Sequence, residues 1–220
     1  MSAAGSRGRR RRAFSLVELL VVLAVMGFLA VIAAAAFTHI ARSAGLNAGG
    51  NLLLDQLNLA RQTAIAKNAQ VEFRIYELPP DDAKTDEAPS VYRAFQSFLI
   101  SSDGLQTNAV SRANFLPKGI RIAPEEEVST LLQAKSPPYL ASGITAGVRV
   151  GNYPPTVYNY VAFHFKPDGT TDLGTAVSQN WYLSLAGEKE RAAAGSQLPA
   201  NFITLQLDPK TGRVRMFRPN

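Results

Sequence analysis

The longest pattern in the chain is a run of apolar residues near its N-terminus. The nineteen residues from Leu19 to Phe37 include no charged or hydrogen-bonding side chain. At a rise of about 1.5 Å per residue they would make about 28 Å of helix, which matches the roughly 30 Å hydrocarbon core of a bilayer. The pattern therefore predicts a transmembrane helix, which we assign to residues 14–40.

A second helical pattern follows a glycine-rich patch. The patch, residues 45–50, predicts a bend or an unwound turn. Beyond it, residues 51–68 place apolar side chains three and four positions apart, which is the period of an amphipathic helix. These side chains are Leu53, Leu57, Ala60 and Ala64. We expect one face of this helix to pack on a sheet, so that residues 41–70 form a helical stalk that continues into a folded head.

The head, residues 71–220, has the period and the turn residues of β-strands. Val71, Phe73 and Ile75 alternate with polar residues, as in a half-buried strand. Pro-Asp-Gly and Asp-Pro-Lys-Thr-Gly segments predict tight turns near residues 169 and 212. We expect strands at 71–76, 91–100, 119–123, 144–150, 158–165, 181–185, 202–207 and 213–217, and a short helix at 125–135. The predicted class is α+β, with a long N-terminal helix packed on a β-rich antiparallel head.

Composition excludes several kinds of chemistry. The chain has 220 residues and no cysteine, which excludes disulfides, cysteine-held zinc or iron–sulfur clusters and a thiol nucleophile. Its net charge of +6 comes from 23 Lys and Arg against 17 Asp and Glu. Five of the basic residues are arginines at positions 7 and 9–12, and without them 23 − 5 = 18 remain against 17. Global charge therefore predicts no polyanionic partner for the head.

The arginine cluster predicts the orientation of the chain in a membrane. Basic residues beside an apolar span stay in the cytoplasm, so everything after Phe37 should cross the bilayer. We expect a single-pass protein of the inner (cytoplasmic) membrane with a periplasmic or extracellular head. A cleaved secretory signal peptide is the alternative, because small residues stand at 33–36. The apolar run is longer than the usual 7–15 residues of such a peptide, and a carboxylate, Glu18, lies near its start.

Before the apolar run, the chain resembles a known processing signal. The string Arg-Arg-Ala-Phe-Ser-Leu-Val-Glu-Leu-Leu-Val-Val, residues 11–22, is similar to the type III signal of type IV pilins and type II secretion pseudopilins. The resemblance implies that a prepilin peptidase cuts between Ala13 and Phe14 and methylates the new amine of Phe14, so that residues 1–13 are a leader. Ala13 departs from the glycine that this family prefers before the cut.

The same resemblance implies a role for Glu18. A carboxylate near a bilayer costs about 2–4 kcal/mol at most depths, so it requires a partner or an interfacial position. In the family, a glutamate at the fifth mature position neutralises the N-terminal amine of a neighbouring subunit during assembly, and Glu18 occupies that position after the cut. The alternative is an interfacial glutamate whose side chain reaches the headgroups.

Motifs in the head resemble those of a narrower group. The passage from Leu57 to Val71 and the turn Phe-Lys-Pro-Asp-Gly at 165–169 are similar to the H-type minor pseudopilins. The tail from Asn180 to Pro219 also resembles the pilin-like family named Verru_Chthon cassette protein D. The implied fold is the pilin fold of a long helix packed on an antiparallel sheet.

No motif in the sequence indicates catalysis. The two histidines, His39 and His164, have no partner at a characteristic spacing, and His164 is interpreted as an ordinary strand residue. Hydrolase, metalloprotease and phosphate-binding motifs are absent. An acidic loop contains Asp81, Asp82, Asp86 and Glu87. It lacks the ordered ligand spacing of a calcium loop and is interpreted as solvated. We expect no enzyme activity, no cofactor and no metal.

One basic motif remains near the C-terminus. Arg213 and Arg215, in the string Gly-Arg-Val-Arg, fall on one face of the last strand, with Arg218 following. The motif resembles a Gly-Arg-x-Arg motif of minor pilins in DNA-uptake machines, where arginines hold phosphates. The alternative is a solvated strand edge that its charges protect from other edges.

Together these observations predict a pilin-like or pseudopilin-like structural subunit, assembled through its N-terminal helix into a type IV pilus or a type II secretion pseudopilus-like filament. Its expected partners are the prepilin peptidase, other pilin or pseudopilin subunits, the inner-membrane assembly machinery and the lipid bilayer. Two alternatives stay open. One is a DNA-binding minor pilin, and the other is a membrane-anchored binding domain that never polymerises.

Overall fold

The computed structural model describes residues 15–79, 90–101, 107–133, 141–145, 150–151, 153, 158–175, 180–188, 190 and 198–218. The chain divides into two compact units, Met1–Ala41 and Arg42–Asn220. The second unit contains every strand of the described residues and the core, and it is α+β as predicted.

Helix α1 runs without a break from Leu16 to Lys67. The predicted bend at residues 45–50 is therefore wrong, and the glycines there have a different use. A β-carbon on Gly50 would lie 3.1 Å from Met216 Sδ and 3.2 Å from the Ile203 side chain, and one on Gly49 would lie 3.2 Å from Pro117. The glycines let the helix approach the sheet closely, which a larger residue would prevent.

The sheet is antiparallel and has ten strands. Eight of them follow the order β10-β9-β8-β5-β2-β1-β7-β6, and β3 and β4 pair with β2. The strands are β1 Val71–Leu78, β2 Val91–Ile100, β3 Thr107–Ala109, β4 Asn114–Phe115, β5 Ile120–Ile122, β6 Ala141–Thr145, β7 Tyr158–Phe165, β8 Trp181–Gly187, β9 Phe202–Leu207 and β10 Val214–Phe217. Helix α2 is Thr130–Gln133.

The core lies between one face of the sheet and the second half of α1. The four apolar helix positions that define the predicted amphipathic face are all buried: Leu53, Leu57, Ala60 and Ala64. They join Phe73 of β1, Phe163 of β7 and Leu205 of β9 in one cluster. The predicted helical face is thus confirmed, and burial of this apolar surface holds helix and sheet together. The predicted half-buried alternation of β1 is wrong, because Glu72 and Tyr76 on its other face are buried as well.

Four elements differ from the sequence prediction. Strands β3 and β4 are too short to show an alternation of apolar and polar residues in the sequence. Both form by antiparallel pairing with β2. Helix α2 has four residues instead of eleven, because the Thr130 hydroxyl donates to Asn180 O at 2.6 Å and accepts from the Tyr182 amide at 3.1 Å. These two hydrogen bonds fix the start of α2 to β8. Strand β6 begins before the predicted strand 144–150 and pairs with β7 through Thr145.

The apolar half of α1 has an exposed surface. Ser15 precedes the helix, and apolar side chains from Leu16 to Val31 are exposed, Leu16 by 77% and Val31 by 72%. Within the described residues, no helix reaches the length and apolar character needed to cross a membrane. The transmembrane assignment of residues 14–40 stays a prediction.

Candidate functional site

The first candidate site is the N-terminal turn of α1. Ser15 is the residue before the helix, and its hydroxyl oxygen accepts a hydrogen bond from the Val17 amide at 3.3 Å. Glu18 lies in the first turn and is exposed. A serine followed three residues later by glutamate is the pattern of a capping box, and a carboxylate is favourable at a helix N-terminus. Ala13 and Phe14, the predicted processing residues, lie outside the described residues.

The first turn of a helix is a favourable place for the Glu18 carboxylate, because the backbone amides there carry partial positive charge. In a capping box glutamine can replace glutamate, because its side-chain oxygen also accepts a hydrogen bond. Glu18→Gln therefore removes the charge and keeps an acceptor.

The second candidate site is the basic end of the last strand. Arg213 and Arg215 are exposed, and with Gln206, Asp208 and Thr211 they line a shallow cavity of about 360 Å³. Their side chains have no hydrogen bond or ion pair to any described residue. Strand β10 pairs only with β9 among the described strands, so these arginines stand at an edge of the sheet.

Arg218, the third arginine of the predicted cluster, is engaged elsewhere. Its guanidinium donates to Asn47 Oδ1 of α1 at 2.6 Å and to Asn201 Oδ1 at 3.0 Å. Asn201 in turn donates to the Ser43 hydroxyl at 3.3 Å. These bonds attach the end of β10 to the helix. The structure therefore brings together two of the three predicted arginines and gives Arg218 a structural role.

Three sequence motifs that lie far apart in the chain meet at a third place. Arg61 of α1 donates from Nε to the carbonyl oxygen of Gly169 at 3.1 Å and to that of Thr211 at 2.8 Å. Gly169 and Gly212 have φ angles of +82° and +61°, which favour glycine. The amide of Thr171 also donates to Pro209 O at 2.9 Å. One helix arginine thus fastens the turn after β7 and the hairpin between β9 and β10.

Sequence reasoning missed a charged cluster on the other face of the sheet. His164 of β7 is joined to Asp172 three times: its Nδ1 lies 2.7 Å from Oδ2, its amide donates to Oδ1 at 2.8 Å, and its carbonyl accepts from the Asp172 amide at 3.1 Å. On the neighbouring strand β1, Arg74 Nε donates to Glu72 Oε1 at 2.6 Å. His164 Nε2 lies 4.0 Å from the other oxygen, Oε2, of Glu72. His164 lies on a strand as expected, and its contacts with Asp172 and Glu72 are what the sequence did not reveal.

The cluster is largely removed from solvent. The side chains of Glu72, Arg74, Asp172 and His164 are exposed by 9, 12, 16 and 24% respectively. The guanidinium carbon of Arg74 lies 4.2 Å from the ring centre of Phe98 and 4.9 Å from that of Tyr160. These cation–π contacts hold Arg74 in place beside Glu72.

Burial and charge act in opposite directions on the pKa of His164. Burial alone lowers it, and the hydrogen bond and charge of Asp172 together with the charge of Glu72 raise it, with Arg74 opposing them. The net result is a pKa above the ordinary value, so the fold favours the charged imidazole. The partner of His164 stands eight residues later, across the Pro-Asp-Gly turn.

Among the described residues, no group of three or more histidine and acidic side chains is placed to hold a metal ion. Asp81, Asp82, Asp86 and Glu87, considered above as a calcium loop, lie outside the described residues.

Comparison with known proteins bears on the first of these sites. Residues 8–34 match the family described as the prokaryotic N-terminal methylation motif. None of the curated proteins matches the chain. Among solved structures, the minor pseudopilin EpsH from the type 2 secretion system of Vibrio cholerae is similar at 11% identity, with a TM-score of 0.40 over 80% of this chain and 98% of that chain. The motif match confirms the methylation signal that the sequence predicts.

Proposed function

We propose that this chain, whose N-terminal segment carries the methylation motif of type IV pilins and pseudopilins, is a structural subunit of a type IV pilus or a type II secretion pseudopilus-like filament. In this proposal a prepilin peptidase removes residues 1–13 and methylates Phe14. The helix stores the subunit in the inner membrane before assembly, and the head lies on the periplasmic or extracellular side.

The observation that carries the proposal is the methylation motif followed by an exposed apolar helix surface. The motif ends at residue 34, and the apolar side chains from Leu16 to Val31 lie within it and are exposed. A soluble protein rarely leaves so large a continuous apolar surface in water, so lipid or other helices must cover it. Lipid would cover it before assembly, and the helices of neighbouring subunits would cover it afterwards.

Glu18 sets the contact between subunits in this proposal. Cleavage creates an amine on Phe14, four residues before Glu18 and at a similar membrane depth. An amine of one subunit and the Glu18 carboxylate of the next attract each other more strongly where the local dielectric is low. Such a pair compensates the carboxylate, and it fixes how far one helix can slide along another.

Replacing Glu18 with glutamine tests the proposed contact. Glu18→Gln keeps the size and the capping acceptor, so we expect normal abundance and normal leader cleavage. We expect assembly to fail, measured as loss of subunit–subunit crosslinks and of co-purification with partner subunits. Asp55→Asn is the matched control, because Asp55 is an exposed carboxylate of the same helix within the second unit. Normal assembly of Glu18→Gln would exclude the proposed pairing of Glu18 with the neighbouring amine.

DNA binding is a second candidate function, and the exposure of Arg213 and Arg215 supports it. Both guanidinium groups border the same cavity and have no ion pair among the described residues. Two arginines hold phosphates by charge-assisted hydrogen bonds, so binding through them would be weak and salt-sensitive. The third hypothesis, a membrane-anchored domain that never polymerises, predicts a retained leader and no subunit contacts.

A further inference from the structure

His164 and Asp172 close the turn that receives Arg61. The three hydrogen bonds between these two residues hold the ends of the segment from 164 to 172 together. Gly169, whose carbonyl accepts from Arg61, lies inside this segment. So does Thr171, which donates to Pro209 of the neighbouring hairpin. Opening the His164–Asp172 pair would therefore release a contact of the helix and a contact of the hairpin.

The charge of the cluster depends on one proton. Glu72 and Asp172 each carry a negative charge and Arg74 carries a positive charge. With a protonated His164 the four groups sum to zero, and with a neutral His164 they sum to −1. An uncompensated charge in a site this little exposed is unfavourable. Besides these residues, Tyr160 of β7 and Tyr76 of β1 lie beside Arg74, and burial raises the pKa of Tyr76 to about 12. The described strand β6, on the other side of β7, contributes no charged residue.

We propose that His164 is a proton-operated latch: its protonated imidazole strengthens the closure of the turn at 166–171 by an ion pair with Asp172, and its deprotonation replaces that ion pair with a neutral hydrogen bond, which loosens the contacts of the turn with Arg61 of α1 and with the β9–β10 hairpin. The latch does not depend on the proposed function, because every group in it belongs to the second unit, Arg42–Asn220. In any assembled state, the contact between the sheet and the C-terminal end of α1 should therefore be more stable at acidic pH than at alkaline pH.

The direction of the pH dependence follows from the cluster. A group that the fold holds in its charged, protonated form contributes full stability below its unfolded pKa, about 6.5 for histidine. That contribution is lost as pH rises through the higher folded pKa. The latch is therefore closed below about pH 6.5 and opens as pH rises through the higher folded pKa. For each tenfold by which folding raises the proton affinity of His164, Tm should fall by about 3–5 °C across this pH range.

The chain contains its own reporter for the latch. Trp181, the single tryptophan, is 5% exposed and donates from its indole nitrogen to Gly174 O at 2.8 Å, two residues beyond Asp172. Release of the turn at 166–171, which Gly174 follows by three residues, would weaken this hydrogen bond and admit water to the indole. We therefore expect the emission of Trp181 to shift to longer wavelength as the latch opens, while the far-ultraviolet circular dichroism stays constant.

The experiment uses the full chain in detergent micelles between pH 5.5 and 9. In the wild type, Trp181 emission should shift to the red and amide exchange of residues 164–175 should rise across this range. In His164→Gln both signals should be independent of pH. His39→Gln, which removes the other histidine, should behave as the wild type. Amide exchange is compared between variants at the same pH, so that the intrinsic exchange rates cancel.

A second variant covers the case in which His164→Gln does not fold. Asp172→Asn removes one carboxylate, so that Glu72 and Arg74 already balance each other when His164 is neutral. Its pH transition should move to lower pH and become smaller than that of the wild type. A wild-type emission that is constant from pH 5.5 to 9, or an identical transition in Asp172→Asn, would overturn the proposal.

Discussion

Gly212 lies directly against the carbonyl oxygen of Gly169, so close that a β-carbon on Gly212 would overlap that oxygen. The two residues belong to turns that are 43 positions apart, since 212 − 169 = 43, and Arg61 of the helix bonds to both turns. The helix passage around Arg61 and the two turns therefore meet at one place in the fold. Each of them supplies one part of the same junction between helix and sheet.

Substitution of Gly212 should be the most damaging single change at this junction. Gly212→Ala places a β-carbon against a backbone oxygen and also requires a φ of +61° from an alanine. We expect a loss of about 3 kcal/mol or more in the free energy of unfolding, from strain and displacement of the turn. Urea unfolding followed by Trp181 fluorescence measures it.

Gly119→Ala is the matched control for that change. Gly119 has a similar φ of +79°, yet a β-carbon there meets no atom within 4 Å. It should cost only the backbone strain, about 1–2 kcal/mol. Equal losses for the two variants would show that the contact between Gly212 and Gly169 contributes nothing.

Arg61 should be sensitive even to a conservative change. Arg61→Lys keeps the positive charge but has no Nε–H, and that group donates to both turn carbonyls. We expect a loss of about 1–2 kcal/mol in the free energy of unfolding, as for hydrogen bonds from a charged donor. Gln62→Ala, at the exposed neighbouring position, should stay within about 0.5 kcal/mol. If Arg61→Lys is as stable as the wild type, charge alone accounts for the contact.

The basic edge of β10 gives a prediction for DNA. If the head binds DNA, the double variant Arg213→Ala, Arg215→Ala should abolish weak binding. If binding persists, the slope of log affinity against log salt concentration should fall by about 2, the loss expected for two phosphate contacts. Arg218→Ala should instead lower stability, because it removes the bonds to Asn47 and Asn201. Fluorescence anisotropy with a labelled duplex at several salt concentrations measures the binding. Unchanged binding by the double variant would exclude Arg213 and Arg215 as the contact.

Elements bounded by turn residues could be predicted from the sequence. The predicted ranges 91–100, 158–165 and 202–207 coincide with β2, β7 and β9. Each of them ends at a serine or proline-containing turn that cannot continue the ladder. The buried face of the second helix could also be predicted, because helical period alone identifies Leu53, Leu57, Ala60 and Ala64.

Features that depend on distant partners could not be predicted in this way. A glycine in a sequence is compatible with an unwound turn and also with close packing of a helix. For Gly50 the structure shows close packing against Ile203 and Met216, which are more than 150 positions away in the chain. The contacts of His164 and Arg218 could not be predicted for the same reason. Their partners are Asp172 and Asn47, and only the fold brings each pair together.

The central claim is that the chain is processed as a prepilin. Mass spectrometry of the native N-terminus, on protein from its own host membrane, tests it most directly. The account predicts a mature protein of 207 residues, since 220 − 13 = 207, that begins at Phe14 with a methylated amine. The Ala13→Gly variant should give the same terminus. A native protein that retains residues 1–13, or one that is cut within or after the apolar run at residues 33–36, would contradict the account.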